Sequence, residues 1–183
     1  MVLEESPTAV RRLEFKYSGK FRDWINQLGE TPLPPYISRP PRPEDRQDYQ
    51  TVFARVDGSV AAPTAGLHFT EVLLRQIRSC EITLHVGYGT FKPISADQVK
   101  GHLMDQEYYE IGLKAAAQIK DQLGKENRVV TVGTTSTRAL EHVFTEHQGV
   151  VPGQGWTDLF IYPGFSFEVT GALITNFHIP RST

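Results

Sequence analysis

The sequence contains a single cysteine, Cys80, in 183 residues. That excludes an internal disulfide framework and a cysteine-based zinc site. Cys80 falls at the end of a predicted helix, a place that suits a small, partly buried hydrophobe better than a nucleophile. No apolar run approaches the length of a membrane span, and the N-terminus lacks the charged-then-apolar layout of an export signal. A cytoplasmic address is the simplest expectation. Charge of one sign is also in short supply. The net charge is −2, so a nucleic-acid partner would need a local basic patch instead of a global field. No Gly-x-Ser-x-Gly elbow exists, which leaves a Ser/His/acid hydrolase without support. His68, His85, His102 and His178, taken with Asp105, match no compact ligand spacing, so no metal site is expected.

What is present is an ordinary globular composition, long enough to bury a core. Leu13, Phe15 and Tyr17 alternate with Arg12, Glu14 and Lys16, which predicts a half-buried strand over 10–17. Phe21, Trp24, Ile25 and Leu28 follow at helical spacing and predict a short amphipathic helix stopped by Gly29. Six prolines between Pro32 and Pro43 make an extended connector. Thr70 should cap a helix near 71–79 with Val72, Leu73 and Ile77 turned inward. Glu81–Val86 predicts a strand, Ser95-Ala-Asp-Gln98 a capping box and helix start. A strand over Tyr108–Ile111 and a helix over 113–123 ended by Gly124 come next. Arg128–Val132 predicts a strand leading into a further helix. Strands are then expected at Thr157–Tyr162, Ser166–Val169 and Leu173–Phe177. Strands mixed with helices of modest length argue for an α/β or α+β sheet.

Four segments carry candidate chemistry. The first, Gly58-Ser-Val-Ala-Ala-Pro-Thr-Ala-Gly-Leu-His-Phe-Thr70, is almost wholly small residues, interrupted by Pro63 and Gly66. It either lines a ligand or marks a tight crossing of two elements. The second, Thr83-Leu-His-Val-Gly-Tyr-Gly-Thr-Phe91, sets His85 on the strand face opposite Leu84 and Val86. Gly87 and Gly89 follow, where backbone amides can approach a ligand, although a dinucleotide fingerprint would need a third glycine opening a helix. The third, Val132-Gly-Thr-Thr-Ser-Thr-Arg-Ala-Leu-Glu141, places four hydroxyl residues at a helix start. Free N–H groups there suit a carboxylate or phosphate, and Arg138 offers a bidentate contact. The fourth, Asn176-Phe-His-Ile-Pro-Arg-Ser-Thr183, brings His178 and Arg181 to another strand end. His142 and His147 fall on a polar helix face and should be solvated.

In order, these strings resemble the S-adenosylmethionine:tRNA ribosyltransferase-isomerase family of queuosine biosynthesis. The resemblance also takes in Pro32-Leu-Pro-Pro-Tyr-Ile37, Tyr49-Gln-Thr-Val-Phe-Ala54, Phe160-Ile-Tyr-Pro-Gly-Phe165 and Thr175-Asn-Phe-His-Ile-Pro180, and so runs through essentially the whole chain. It implies an α+β fold with a mixed, barrel-like sheet and flanking helices, plus the remnant of a separate β-barrel. Residues 1–30 would end that inserted barrel, 31–57 connect, and 58–183 form the catalytic domain. The implied reaction moves the ribosyl group of S-adenosylmethionine onto 7-aminomethyl-7-deazaguanine at the tRNA wobble position, giving epoxyqueuosine-tRNA, adenine and methionine. S-adenosylmethionine is thus a consumed substrate, and no cofactor is implied. The partners implied are S-adenosylmethionine and tRNA, with the protein a monomer and no membrane involved.

By the same resemblance, His85 and His68 become the candidate base and acid, since imidazole titrates near working pH. Gly87 and Gly89 would let backbone pack on the donor, while Thr134 and Thr135 would bind its carboxylate. Arg138, His178 and Arg181 complete the substrate-binding set, the arginines toward that carboxylate or RNA phosphate. Tyr88, between the glycines, and Asp105, where the family commonly has histidine, depart from the pattern. The chain resembles roughly half of a typical member, which would leave sheet edges unpaired and residues such as Ile174 and Phe177 exposed. The alternative is a non-catalytic tRNA- or ligand-binding remnant.

Overall fold

The computed structural model describes residues 2–5, 11–87, 89 and 102–178. The helix expected from Ser95–Gln98 lies outside them, as does Arg181. The chain divides into two compact units, Met1–Glu30 and Thr31–Thr183.

In the first unit, β1 (Val2–Glu5) pairs antiparallel with β2 (Arg11–Leu13). The strand expected over 10–17 therefore ends at Leu13. Phe15 and Tyr17 instead lie with their ring centroids each 5.1 Å from Phe21, which opens helix α1 (Phe21–Leu28). The Trp24 indole donates to the Ser18 carbonyl at 2.8 Å. Gly29 ends the helix as expected, its N–H bonding the Ile25 carbonyl at 2.8 Å.

The second unit begins with the proline-rich segment, which is pinned at its far end. Arg39 forks onto the Asp45 carboxylate at 2.6 and 2.8 Å, and the Arg42 N–H adds a third bond at 2.7 Å. Asp45 opens the short helix α2 (Asp45–Asp48). The small-residue run forms a 3-10 turn over Thr64–His68. The Thr70 hydroxyl then accepts from the Leu73 N–H, capping α3 (Glu71–Gln76). This helix is shorter than expected, and Val72, Leu73 and Ile77 are exposed where they were expected inward. With one and a half turns and no covering element among the described residues, α3 cannot bury that stripe. Cys80 is exposed too, and partial desolvation beside Glu81 raises its thiol pKa, the reverse of what activates a nucleophile.

The remaining elements are β3 (Thr83–His85), β4 (Glu107–Ile111), α4 (Leu113–Gly124), β5 (Val129–Val132), α5 (Thr134–His147), β6 (Gly153–Thr157) and β7 (Thr170–Ile174). Strands β3, β4 and β6 make an antiparallel sheet, while β5 and β7 pair in parallel. The fold is α+β. Among the described residues the sheets of this unit are open, one antiparallel and one parallel. The core is built on Ile111, Ala115, Ala116 and Ile119 with Ala139, Leu140, Val143, Val150 and Val169. Ala115, Ala116 and Ile119 fall at the i, i+1, i+4 positions of the inward stripe of α4, and the alanines permit close approach.

Two of the late strands were misplaced by sequence. The strand expected at Thr157–Tyr162 lies earlier, over a glycine-rich segment. Gly155 is bare because the Tyr109 phenol crosses it, so an added Cβ would sit 2.8 Å from the hydroxyl oxygen, a close approach that only glycine allows within a strand. Residues 166–169 form no strand. Their backbone is held instead by Glu141, whose carboxylate accepts from the N–H groups of Glu168, Val169 and Thr170 at 2.9, 3.1 and 2.8 Å. Ile174 and Phe177 are exposed, at 43% and 106%. Among the described residues, no helix is long and apolar enough to cross a membrane.

Candidate active site

Strands β5 and β7 run in parallel with Val132 opposite Ile174, so their carboxyl ends lie side by side. The chain turns sharply after β5 at Gly133, whose φ of +85° only glycine adopts without strain. The Gly133 N–H donates to the Ile174 carbonyl at 2.9 Å, and α5 begins at the next residue. Open sheets with parallel strands bind ligands at such carboxyl ends, where a helix N-terminus begins beside them.

The small-residue run reaches the same place. A Cβ on Gly133 would meet Pro63 at 3.9 Å. Further back the run is stitched to the end of β3: the Val60 N–H donates to the Val86 carbonyl at 2.9 Å. The Ser59 hydroxyl donates to the Leu84 carbonyl at 3.0 Å and accepts from the Val86 N–H at 3.1 Å. Tyr49 supports it through a hydrogen bond with the Ala62 backbone. Burial and the neighbouring Tyr36 push its phenol up to about 12, so it stays protonated. Three of the four candidate segments thus meet in one region, and β7 delivers the fourth beside them.

The two glycines of the run serve contacts inside the protein. A Cβ on Gly66 would lie 2.7 Å from the Phe53 ring and 2.9 Å from Thr51. On Gly58, at a φ of +151°, it would lie 2.5 Å from both Cε1 and Nδ1 of His85. Of the two readings the run allowed, the tight crossing is the one these glycines make. His85 is thereby held, half-buried, between Gly58 and Tyr108, whose ring it stacks on at 5.1 Å and 18°. Its Nδ1 is buried and, among the described residues, has no hydrogen-bond partner. An orphaned buried nitrogen costs about 1–3 kcal/mol, which a hydrogen bond from a bound group would recover.

The other candidate residues divide by what they touch. Gly87 has open space where a side chain would be, whereas a Cβ on Gly89 would collide with the Asp105 carboxylate. Gly89 therefore packs on the protein's own Asp105, and only Gly87 offers bare backbone. Thr134 and Thr135 are partly exposed at the first turn of α5. The next two hydroxyls are used internally: Ser136 donates to the Val132 carbonyl at 2.9 Å, and Thr137 pairs with Thr131 at 2.8 Å. His68 is exposed at the end of the 3-10 turn. His178, also exposed, pairs through Nε2 with the Thr175 hydroxyl at 3.2 Å.

Arg138 is not available as an anion contact. Its guanidinium is buried, donating to Glu107 at 2.6 Å and to the Leu159 carbonyl at 2.7 Å. Burial lowers its pKa while Glu107 and Asp158 oppose that shift, so it remains the cation of a buried pair. His142 also departs from expectation: it is half-buried, edge-on to the Tyr109 ring at 5.7 Å, while His147 is exposed. Glu107 and Tyr108 were not singled out by sequence. The inward parity of Glu107 with Tyr109 and Ile111 was the available signal for the first.

A family model described as Queuosine biosynthesis protein matches residues 1–183. The chain belongs to this family. Among curated family relatives, the S-adenosylmethionine:tRNA ribosyltransferase-isomerase of Natranaerobius thermophilus is 48% identical over 187 residues, covering 100% of this chain and 54% of the relative. The enzyme of the same name from Halothermothrix orenii is 51% identical over 178 residues, 94% of this chain and 52% of the relative. The chain spans about half the length of the curated relatives it matches. A crystal structure of an S-adenosylmethionine tRNA ribosyltransferase from Thermotoga maritima aligns with a TM-score of 0.50 and 35% identity, over 64% of this chain and 38% of that one.

Proposed function

We propose that this chain supplies catalytic-domain residues of an S-adenosylmethionine:tRNA ribosyltransferase-isomerase. In that reaction the ribosyl group of S-adenosylmethionine passes to the aminomethyl group of 7-aminomethyl-7-deazaguanine at the tRNA wobble position. It is rearranged to an epoxycyclopentanediol, and adenine and methionine leave. The observation that carries the reading is the meeting of the family's strings in one region, with Pro63 against Gly133 and Gly58 against His85.

The residues suit the chemistry in distinct ways. A base must take a proton beside the sulfonium and an acid must assist adenine. His85, fixed in orientation by Gly58 and Tyr108, is the residue assigned to proton transfer, with the more exposed His68 as its counterpart. The first turn of α5, with Thr134 and Thr135, supplies N–H groups and hydroxyls for the methionyl carboxylate. Gly87 leaves room for the donor against the backbone, and His178 stands at the neighbouring strand end. Arg181 remains a candidate for RNA phosphate. S-adenosylmethionine is consumed, so the reading calls for no cofactor. It has the chain acting as a monomer in the cytoplasm.

The test is adenine release from S-adenosylmethionine in the presence of tRNA carrying 7-aminomethyl-7-deazaguanine. Release that depends on the precursor tRNA and is lost in His85→Ala with an unchanged thermal melt is the expected result. No release from the folded chain at any tRNA concentration would sink the reading.

A further inference from the structure

The outer face of the β3–β4–β6 sheet carries, beyond His85, a feature that the transfer chemistry does not use. Antiparallel register sets His85 opposite Tyr108, and Tyr108 opposite Trp156. Directly opposed residues share one face of a sheet, so three aromatic side chains form a row across it. His85 and Tyr108 stack, while Tyr108 and Trp156 meet edge to face at 5.5 Å and 69°. One end of the row is closed by Gly58 against the His85 ring. Among the described residues the other end is open: Trp156 is 59% exposed.

The surroundings of Trp156 narrow what could cover it. The Tyr108 hydroxyl donates to Oε1 of exposed Gln154 at 2.9 Å, which orients the amide and leaves its Nε2 donors for a ligand edge. Glu110 pairs with Gln154 on the same face and is exposed. A carboxylate there repels phosphate, so the face fits a flat neutral group and not an RNA backbone. A protein partner is a poor match as well. Stable docking buries about 800 Å² per partner, far more than one indole and one amide present. A single unpaired nucleobase needs one ring face and a few hydrogen-bonding groups, which is what the row offers.

We propose that Trp156, braced by Tyr108 and flanked by Gln154, is a stacking platform for an unpaired nucleobase of the RNA substrate. Because the same row ends in His85, the stacked base is a neighbour of the base being modified. That second point rests on the transferase reading; the platform itself rests on the sheet.

Trp24→Phe leaves Trp156 as the sole tryptophan of the two in the chain, so its emission reports on this face alone. An anticodon stem-loop RNA should quench that emission, and a duplex of the same stem should not. Trp156→Ala should raise the Kd for the stem-loop on the order of 10-fold or more, whereas Trp156→Phe, which keeps a ring, should stay within about 3-fold. Both variants should melt as the parent does, since the side chain is mostly in water. An unchanged Kd in Trp156→Ala overturns the proposal. So does equal quenching by duplex, or emission that responds only to protein concentration, which would mean a second copy covers the ring. The two readings fail separately. Trp156-dependent stem-loop binding without any adenine release supports the platform and removes the transferase. Normal adenine release with an unaltered KM for tRNA in Trp156→Ala removes the platform alone.

Discussion

Truncating Glu141 to alanine should be among the most damaging single changes in this chain, because its carboxylate is used wholly on the protein's own backbone. Its side chain is 1% exposed, and its two carboxylate oxygens accept from three consecutive backbone N–H groups at 2.8 to 3.1 Å. Each hydrogen bond to a charged acceptor contributes about 1.5–3 kcal/mol. Three would sum to about 4.5–9 kcal/mol if independent, but they share one carboxylate, and water entering the vacated space re-satisfies part of the loss. A cost of about 3–5 kcal/mol is therefore expected for Glu141→Ala. At a urea m-value of about 2 kcal/mol/M, that lowers the unfolding midpoint by about 2 M. Glu141→Gln should cost less, about 1.5–3 kcal/mol, because one oxygen still accepts while the amide NH₂ opposes an N–H donor. Hydrogen exchange gives the local check: the amides of Glu168, Val169 and Thr170 should lose protection before those of β4 do. A Glu141→Ala protein within about 1 kcal/mol of the parent, with those three amides still protected, would refute the reasoning.

Three further outcomes follow from the contacts described. Arg138→Ala should destabilise by about 3–5 kcal/mol, because it strips Glu107 of its guanidinium in a buried setting; urea denaturation reads this. Combining it with Glu107→Leu should recover part of the loss, and an additive double variant would contradict the pairing. Gly58→Ala should drive a Cβ into the His85 ring at 2.5 Å, costing about 1–3 kcal/mol and removing the Tyr108 ring-current shift from the His85 NMR resonances; unaltered resonances would disprove the clamp. The Arg39 fork and the Arg42 N–H hold the Asp45 carboxyl down from its usual 3.8 to about 2. A depressed carboxyl stabilises the fold above its unfolded pKa and loses that contribution as pH falls through the folded one. Thermal melts should therefore drop as pH falls from about 4 towards about 2, and Asp45→Asn should flatten that limb; parallel limbs for the two proteins would rule the ion pair out as its cause.

Much of the fold was legible where local chemistry is self-sufficient. Helix α1 with its Gly29 stop, the Thr70 cap, α4 and the β5–Gly133–α5 turn all follow from periodicity and capping within a few residues. Failures came where a distant group overrode local preference. Residues 166–169 read as strand, yet the Glu141 carboxylate takes their N–H groups. The strand expected at Thr157–Tyr162 lies instead over Gly153–Thr157, where the Tyr109 ring fills the space over Gly155. The same holds at the site. Four hydroxyls and an arginine in a row suggested one anion-binding cluster, but the helical turn points Thr137 and Arg138 inward and leaves Thr134 and Thr135 outward.

The run from Gly58 to Thr70 shows the division most plainly. Sequence alone determined that this backbone approaches something closely, because small residues, a proline and two glycines have little other use together. It also determined the family, since long strings in fixed order carry that information without any folding. What the run approaches was decided by tertiary structure. Gly58 accommodates His85, Gly66 accommodates Phe53 and Thr51, and Pro63 meets the turn before α5. These contacts join residues far apart in the chain, and a glycine records only that room is needed, not which side chain will use it.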